Sequence, residues 1–324
     1  MRALTFFLIV LGVIAFAASL LAGQVWLPPE ALLDIVNDPD SMAAIIVREI
    51  RLPRSVLALV TGATLGLAGA VLQGFTRNSL AEPGLLGVSS GAALGAVIAI
   101  YFGLTMISPA AGPLLGMLGG LCACGLTFAL GRGSAVSLAL AGAAVSSLTA
   151  AGIALALNFA PNPYAAYEIM TWLLGSLADK SWSQVLLILP FVAVGMGLLA
   201  LTGRGLDALS LGEAQAQSLG INLTRLSALA VAGTALSVGA VTSVTGAIGF
   251  IGLVAPHLVR PFVNYNPRRV LLPAALTGAV LLLCADIAAR LVHTNPELRL
   301  GVFTALLGTP FFFWLVVRIR KVAP

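Results

Sequence analysis

Long apolar stretches alternate with short polar ones along nearly the whole chain. A helix needs about 20 apolar residues to cross a bilayer, and about ten stretches approach that length. They cover residues 4–23, 56–75, 85–103, 110–131, 135–158, 185–202, 226–246, 248–263, 271–291 and 301–317. The pattern predicts an all-α polytopic membrane protein of about ten transmembrane helices, built as one domain over residues 1–324. Because 248–263 is short and contains Pro256, we expect that stretch to be tilted, broken or partly re-entrant.

The first stretch follows Arg2, as the apolar part of a signal peptide would. Its length exceeds that of a typical signal peptide core, and many further stretches follow it. We therefore interpret it as a retained first span.

Basic residues favour one side of this arrangement. If the N-terminus is cytoplasmic, ten spans bring the C-terminus back to the same side, and both termini share it with most of the basic residues. Of the 17 basic residues, the cytoplasmic ones are Arg2, Arg77, Arg132, Arg204, Arg225, Arg260, Arg268, Arg269, Arg318, Arg320 and Lys321. The outer ones are Arg48, Arg51, Arg54, Lys180, Arg290 and Arg299. Since cytoplasmic loops carry the excess of Lys and Arg, the distribution predicts an N-in, C-in topology.

A polar insert at about residues 203–224 interrupts the apolar pattern. Ser210 and Glu213 have the spacing of a capping box, and Gly220 stands where a left-handed residue commonly ends a helix. The enclosed helix is too short and too polar to span a bilayer. It is predicted to be a short cytoplasmic helix on which a water-soluble partner acts.

Composition supports the membrane interpretation and excludes other classes. The chain is 59% hydrophobic and 9% charged, whereas soluble domains are about 25% charged. The net charge of +5 is explained by topology, so no nucleic-acid partner is expected. Cys122, Cys124 and Cys284 lie in apolar runs and are expected to pack rather than to form disulfides or bind metal. No cofactor bound by this chain is predicted.

Gly87–Gly91 matches the G-x-S-x-G pattern of serine hydrolases, which would make the chain a membrane enzyme. That motif requires a strand before it and a helix after it, and here an apolar helical run surrounds it. Close helix packing is the favoured interpretation, because glycines four apart form a smooth helix face. Such glycines and small residues are Gly87, Gly91 and Gly95 in one span, and Gly62, Gly66, Gly69 and Ala70 in another.

Few residues are suited to drive transport by themselves. Neither lysine, Lys180 or Lys321, stands in a P-loop pattern, so the chain is not expected to hydrolyse ATP.

Asp286 and Arg290 are spaced to pair on one helix face. An ion-coupled carrier would need acidic or histidine groups at mid-depth in the membrane. Because the sequence indicates none there, this alternative is less favoured. His257 is interpreted as a buried, hydrogen-bonded histidine rather than a ligand.

Arg51 and Arg54 flank Pro53 just before the second span. Two arginines on a rigid turn are suited to receive the carboxylates of a partner protein. Ordinary snorkelling at the membrane interface explains them equally well.

Taken in order, several motifs resemble the permease subunits of ABC importers for iron-siderophores, haem or vitamin B12, which are type II importers. They are Arg51–Arg54, Gln73 with residues 77–91, residues 211–220, residues 246–257 with Arg260, Asp286 with Arg290, and residues 301–310.

This resemblance implies a homodimer of permease subunits in the cell (inner) membrane, with two ATPase subunits that bind ATP and magnesium. A periplasmic or lipid-anchored substrate-binding protein docks outside. Coupling to the ATPase falls on Ser210, Leu211, Gly212, Glu213, Ala216, Leu219 and Gly220. Docking of the binding protein falls on Arg51, Arg54 and Arg290.

The resemblance also implies a translocation path along the spans 135–158 and 301–317. Its predicted path and gate residues are Ser134, Ser137, Ala141, Gly142, Gly301, Thr304 and Gly308. Residues 133–137 would form a cytoplasmic gate, and residues 163–170 a short outer helix. An iron-siderophore is the first expectation for the cargo, with haem and cobalamin as alternatives.

Two departures from the family pattern affect local expectations. Ser79 replaces a proline after Asn78, which puts the rigidity of that turn in doubt. Arg299 replaces another proline before the last span and adds an outer charge, suited to attract an anionic chelate or to remain solvated.

Overall fold

The computed structural model describes residues 2–23, 25–131, 135–292 and 297–322, and within these ranges its regular structure is helical. The helices are α1 (Arg2–Leu21), α2 (Ala31–Asn37), α3 (Met42–Ile45), α4 (Leu52–Thr76), α5 (Val88–Tyr101), α6 (Leu104–Ile107), α7 (Ala111–Leu130), α8 (Ala135–Asn158), α9 (Pro163–Leu173), α10 (Trp182–Leu201), α11 (Gly203–Leu209), α12 (Glu213–Ser218), α13 (Leu223–Thr245), α14 (Ile251–Val259), α15 (Pro267–Leu291) and α16 (Leu300–Val322). A π-helical segment, Ile46–Arg51, precedes α4, and two 3₁₀ turns occupy Pro83–Leu86 and Arg260–Val263.

Every predicted apolar stretch contains a helix, which confirms the all-α prediction. Within the described residues, 7 helical segments are long and apolar enough to cross a membrane. The shorter apolar helices are Val88–Tyr101, Ile251–Val263 and Leu300–Leu315. The polytopic character is thus supported, while the count of ten spans, the single domain and the N-in, C-in orientation stay predictions.

Asparagine caps begin three of the helices. The side chains of Asn162, Asn222 and Asn266 each accept a hydrogen bond of 2.9 Å from the backbone N–H three residues later. These bonds satisfy donors that a helix start leaves without intrahelical partners. They fix where α9, α13 and α15 begin.

The stretch 248–263 is broken, as its sequence predicted. Residues 246–249 are not helical, α14 spans only nine residues, and a 3₁₀ turn follows it. Phe250 lies before α14 with a φ of 68°, which is unusual for a bulky residue. Such irregular backbone is tolerated at membrane depth only where protein or a cavity surrounds it.

Helices α4, α13 and α15 form the centre of the bundle. In their most apolar windows 78%, 78% and 72% of residues are buried, against 22% in both α1 and α8. The outer helices therefore present much of their surface to lipid or to other subunits.

Close backbone contact joins α4 to α15 and α5 to α7, which confirms the predicted glycine faces. A Cβ atom at Gly62 or Gly278 would overlap the carbonyl oxygen of the other residue. Gly91 and Gly119 contact each other in the same way between α5 and α7. Gly87 has a different role, because it precedes α5 in a left-handed conformation with φ 72°.

We predict that Gly278→Ala destabilises the protein by about 1–3 kcal/mol, the usual cost of overpacking, because the new methyl group forces α4 and α15 apart. Gly197→Ala in α10 is the matched control, since nothing lies within 4 Å of its Cβ position. Thermal unfolding of both variants in the same detergent measures the difference. Equal unfolding midpoints for the two variants would contradict the proposed contact.

Candidate functional site

The predicted path residues on α8 fall on two different faces of that helix. Ala141 and Gly142 are buried, and a Cβ atom at Gly142 would overlap the carbonyl oxygen of Leu85. Ala143 and Ala144 are exposed, while Ser137 is half-buried. In this conformation of the chain Ala141 and Gly142 therefore pack within the bundle, and their role on a translocation path stays a prediction. Ser134 and the rest of the predicted gate up to residue 134 lie outside the described residues.

The predicted path residues on α16 form one inward face. Thr304 is buried and donates a 3.1 Å hydrogen bond from Oγ1 to the carbonyl oxygen of Gly301. At Gly308 a Cβ atom would overlap the ring of Phe250, so this glycine makes room for the strained residue before α14. Thr304 and Gly308 thus contact the bundle in this conformation, and their role on the path stays a prediction.

An apolar cleft of about 570 Å³ lies beside α16, and Gly301 is the predicted path residue that borders it. Three non-helical pieces of backbone meet there. The N–H of Ser176 donates to the carbonyl oxygen of Thr245 over 2.7 Å, and the N–H of Gly301 donates to that of Gly175 over 3.4 Å. The full lining is Leu173, Leu174, Ala247, Gly301, Val302, Ala305, Leu306, Thr309 and Pro310.

A second cleft, of about 480 Å³, lies between the turn that follows α4 and helix α8. Its lining is Leu80, Glu82, Gly84, Leu85, Ala143, Ser146, Phe250, Leu253 and Phe312. Glu82 is its one charged lining residue. Burial raises the pKa of the Glu82 carboxyl, and a backbone hydrogen bond from Phe250 opposes that shift. Sequence reasoning did not single out Glu82, since nothing in the local pattern distinguishes it from a solvated loop residue.

The turn that follows α4 keeps its shape without the family's proline. The backbone N–H of Leu80 donates to the side-chain oxygen of Asn78 over 2.9 Å, and that of Ala81 donates to the Asn78 carbonyl oxygen over 3.1 Å. Such Asx turns reproduce locally the constraint that proline would impose. The doubt about rigidity at Ser79 is thereby answered.

The three arginines predicted to dock a partner lie in an internal network. Asp286 is fully buried and accepts hydrogen bonds from both Arg54, at 2.8 Å, and Arg290. Glu297 also pairs with Arg54. The predicted pair of Asp286 and Arg290 is thus confirmed. The link from Arg54 to Asp286 was missed, because the two residues are 232 positions apart and no periodicity relates them.

The same arginines satisfy the end of α1. Arg51 donates to the carbonyl oxygen of Leu20 over 3.1 Å and to that of Leu21, while Arg290 donates to that of Ser19 over 2.9 Å. The last carbonyls of a helix lack intrahelical donors, and cations near them are favourable. Arg51 and Arg290 are buried by these contacts. In this conformation their acceptors are internal, so the structure does not place them on a docking surface, and docking there stays a prediction.

Two further cations meet on the predicted outer side. Burial lowers the pKa of Lys180, Asp179 counteracts the shift, and the nearby charge of Arg299 adds to it. The Arg299 carbonyl oxygen accepts the N–H of Val302 over 3.1 Å at the start of α16.

The polar insert forms two short helices, α11 and α12, rather than the single helix predicted. The prediction of a capping box at Ser210 and Glu213 is also wrong. Ser210 follows α11, and its hydroxyl donates to the carbonyl oxygen of Asp207 over 2.6 Å. Gly212, with φ 113°, precedes α12 instead. The Glu213 carboxylate accepts from Arg77 over 3.3 Å.

The predicted left-handed end at Gly220 is confirmed, with φ 80°. The N–H of Gly220 donates to the carbonyl oxygen of Gln217 over 2.9 Å, and that of Ile221 to Ala216 over 3.0 Å, which completes a Schellman motif. Ala216 is buried, whereas Leu211 and Leu219 are each 63% exposed. The insert is therefore a well-formed projection with two exposed leucines.

Two contacts join the insert to the central helices. The backbone N–H of Arg268, in the first turn of α15, donates to the Asp207 carboxylate over 3.0 Å. The ion pair of Glu213 with Arg77 reaches the end of α4. These contacts connect the insert to α4 and α15, the packed pair at the centre.

Comparisons with known proteins agree with this architecture. Residues 9–318 match the model of the FecCD transport family. The vitamin B12 import system permease protein BtuC of Vibrio cholerae is 40% identical over 302 residues, which are 92% of this chain and 89% of that protein. The hemin transport system permease protein HmuU of Yersinia pestis is 38% identical over 282 residues, which are 84% of this chain and 83% of that protein.

Among solved structures, a metal-chelate type ABC transporter in an inward-facing conformation superimposes with a TM-score of 0.86. It shares 32% identity, and the match covers 98% of this chain and 99% of that one.

We predict that Asp286→Asn destabilises the protein by about 3–5 kcal/mol, because it leaves two buried guanidiniums without their shared charge partner. Glu49→Gln is the control, since its pair with Arg48 is about half exposed and such pairs contribute at most about 1 kcal/mol. Denaturant or thermal unfolding in detergent separates the two. A loss for Asp286→Asn no larger than that of the control would contradict a supporting role for the network.

Proposed function

The chain belongs to the FecCD transport family, and we propose that it forms the path by which an ABC importer moves an organic metal chelate into the cytoplasm. The permease role follows from the family, while the cargo and the path are proposals. The observation that carries the path is the pair of apolar clefts beside α8 and α16. Walls of small and apolar groups let a bulky chelate pass without binding it tightly.

The cargo is proposed as a chelate of the iron-siderophore, haem or cobalamin class. The named relatives are vitamin B12 and hemin permeases, which supports the two alternatives more directly than the siderophore expected first. All three are large organic molecules that carry a bound metal, so one kind of wide path suits them all. Lys180 and Arg299 add positive charge on the predicted outer side, where an anionic chelate would arrive.

The partners are also proposed. Two copies of the chain would enclose the path between them, and the sparse burial of α8 leaves a surface for the second copy. Two ATPase subunits that bind ATP and magnesium would dock on the insert, and a binding protein would deliver cargo from outside. The assembly would lie in the cell inner membrane.

The mechanism is proposed as rigid-body alternation between two packed states. Closure of the ATPase pair would move α12, and the contacts of Asp207 and Glu213 would carry that movement to α15 and α4. ATP shifts the equilibrium only if the ATPase-bound complex favours one state. In this proposal the permease provides the translocation path and transmits the movement of the insert, while ATP hydrolysis takes place in the ATPase subunits.

The test is reconstitution of the full chain in liposomes, with and without its ATPase and binding protein. We expect uptake of labelled cobalamin, haem or a ferric siderophore only when ATPase and ATP are both present. The cargo that accumulates identifies the chelate. Uptake driven by an ion gradient without the ATPase would instead support a secondary transporter and overturn the proposal.

We predict that Glu213→Arg lowers ATP-driven uptake by about twofold to fivefold, because it replaces an exposed ion pair with Arg77 by a repulsive contact. Binding-protein docking and the unfolding midpoint should not change. Glu30→Arg, an equal charge change at an exposed residue before α2, is the control. Equal uptake by the two variants would contradict the proposed role of the insert in coupling the ATPase to transport.

A further inference from the structure

A polar cavity of about 300 Å³ lies at the ends of α4 and α15 that are predicted to face the cytoplasm. It shares no lining residue with the two apolar clefts. Its polar lining residues are Gln73, Arg77, Ser79, Ser210, Arg260 and Tyr265. Both charged residues of this lining are arginines, so the cavity carries positive charge without a carboxylate of its own.

Arg260 is the central cation of this cavity. It is half-buried, and among the described residues its guanidinium donates to one acceptor, the side-chain oxygen of Gln73. Gln73 is only 2% exposed and donates its own N–H groups to the carbonyl oxygens of Gly252 and Leu253 over 3.4 and 3.3 Å. The amide is therefore held with its oxygen toward Arg260, and it fixes the guanidinium in place.

The charge of Arg260 is not compensated. A guanidinium has five N–H donors, and the described residues include no ion pair with this one. Removing a cation from water without a partner is costly. An anion that enters the cavity supplies both the missing charge and acceptors for the remaining donors.

The surroundings add to the positive field. Arg77 lines the cavity, and its side chain is 50% exposed beside Glu213, so water screens that pair. Arg268 and Arg269 begin α15, whose N-terminal end is itself positive. The Asp207 carboxylate is already engaged by the backbone N–H of Arg268.

We infer that this cavity binds a phosphate-bearing anion between the guanidiniums of Arg260 and Arg77. Guanidiniums pair with phosphate oxygens through parallel N–H···O bonds, and the hydroxyl group of Ser79 at the wall offers a further donor. The cavity admits a single phosphate group but not a bulky chelate. The source is either free phosphate or the headgroup of an anionic lipid, and the site does not depend on which cargo is transported.

The experiment uses the full chain purified in a neutral detergent. In one arm, inorganic phosphate is titrated against chloride at matched ionic strength while the thermal unfolding midpoint is recorded. In the other arm, nanodiscs of phosphatidylglycerol are compared with nanodiscs of phosphatidylcholine, both in a phosphate-free buffer. A saturable rise with phosphate identifies a free anion, and a rise only with phosphatidylglycerol identifies a lipid headgroup; both support the site.

Variants decide whether the effect belongs to this cavity. Arg260→Gln should weaken binding about tenfold or more, since charged hydrogen bonds are lost. Ser79→Asp keeps both arginines and should compete with the anion, so it tests the site even where Arg260→Gln does not fold. Arg225→Gln removes an exposed charge elsewhere and should bind as the wild type does.

Three outcomes would overturn the inference. The first is the absence of a saturable effect in both arms. The second is unchanged binding in both Arg260→Gln and Ser79→Asp. The third is an equal loss in Arg225→Gln, which would indicate general charge screening rather than a site.

Discussion

Backbone polar groups inside a membrane protein must find their partners within the protein, because lipid offers none. The C-terminal end of α1 meets this constraint with side chains from two other helical segments. The carbonyl oxygens of residues 18–21 accept hydrogen bonds from the N–H of Ala22 and from the guanidiniums of Arg51 and Arg290. Asp286 then holds Arg290 and Arg54 together. The hydrogen bonds that satisfy the end of α1 thus link this helix to the segment that leads into α4, where Arg51 lies, and to α15, which carries Arg290.

The same constraint shapes the inner surface of the bundle. Where the chain leaves the helical state after α9, the N–H of Ser176 donates to the carbonyl oxygen of Thr245 at the end of α13, and the carbonyl oxygen of Gly175 accepts from Gly301 at the start of α16. Residues 246–249 follow α13 directly and are not helical. These pieces of backbone border the larger apolar cleft. Glycines on the neighbouring helices allow the approach, as Gly301 does against the carbonyl oxygens of Leu174 and Ala247. The cleft therefore has walls that combine backbone and small groups with the side chains of Leu173, Leu174 and Leu306.

The sequence predicted features that depend on local pattern and missed those that depend on distant contacts. Apolar length located the long helices, and glycine spacing located the close-packing face that contains Gly62, because both follow from helical periodicity. Its partner Gly278 was not predicted, since it lies on a distant helix. The predicted capping box is wrong, because Ser210 also suits the end of the preceding helix and only the turn at Gly212 decides between the two. The contact of Gly308 with the ring of Phe250 could not be predicted either, since no pattern within α16 indicates it.

The arginine network also has a consequence for proteolytic processing of the chain. Three guanidiniums face two carboxylates there, and the negative end of the α1 dipole offsets the remaining charge. A protease that removed α1 after folding would withdraw the carbonyl oxygens of residues 19–21 from Arg51 and Arg290, which would keep Val25 and Asp286 as partners. We therefore expect such a cleavage to weaken the hydrogen bonding of the whole arginine network.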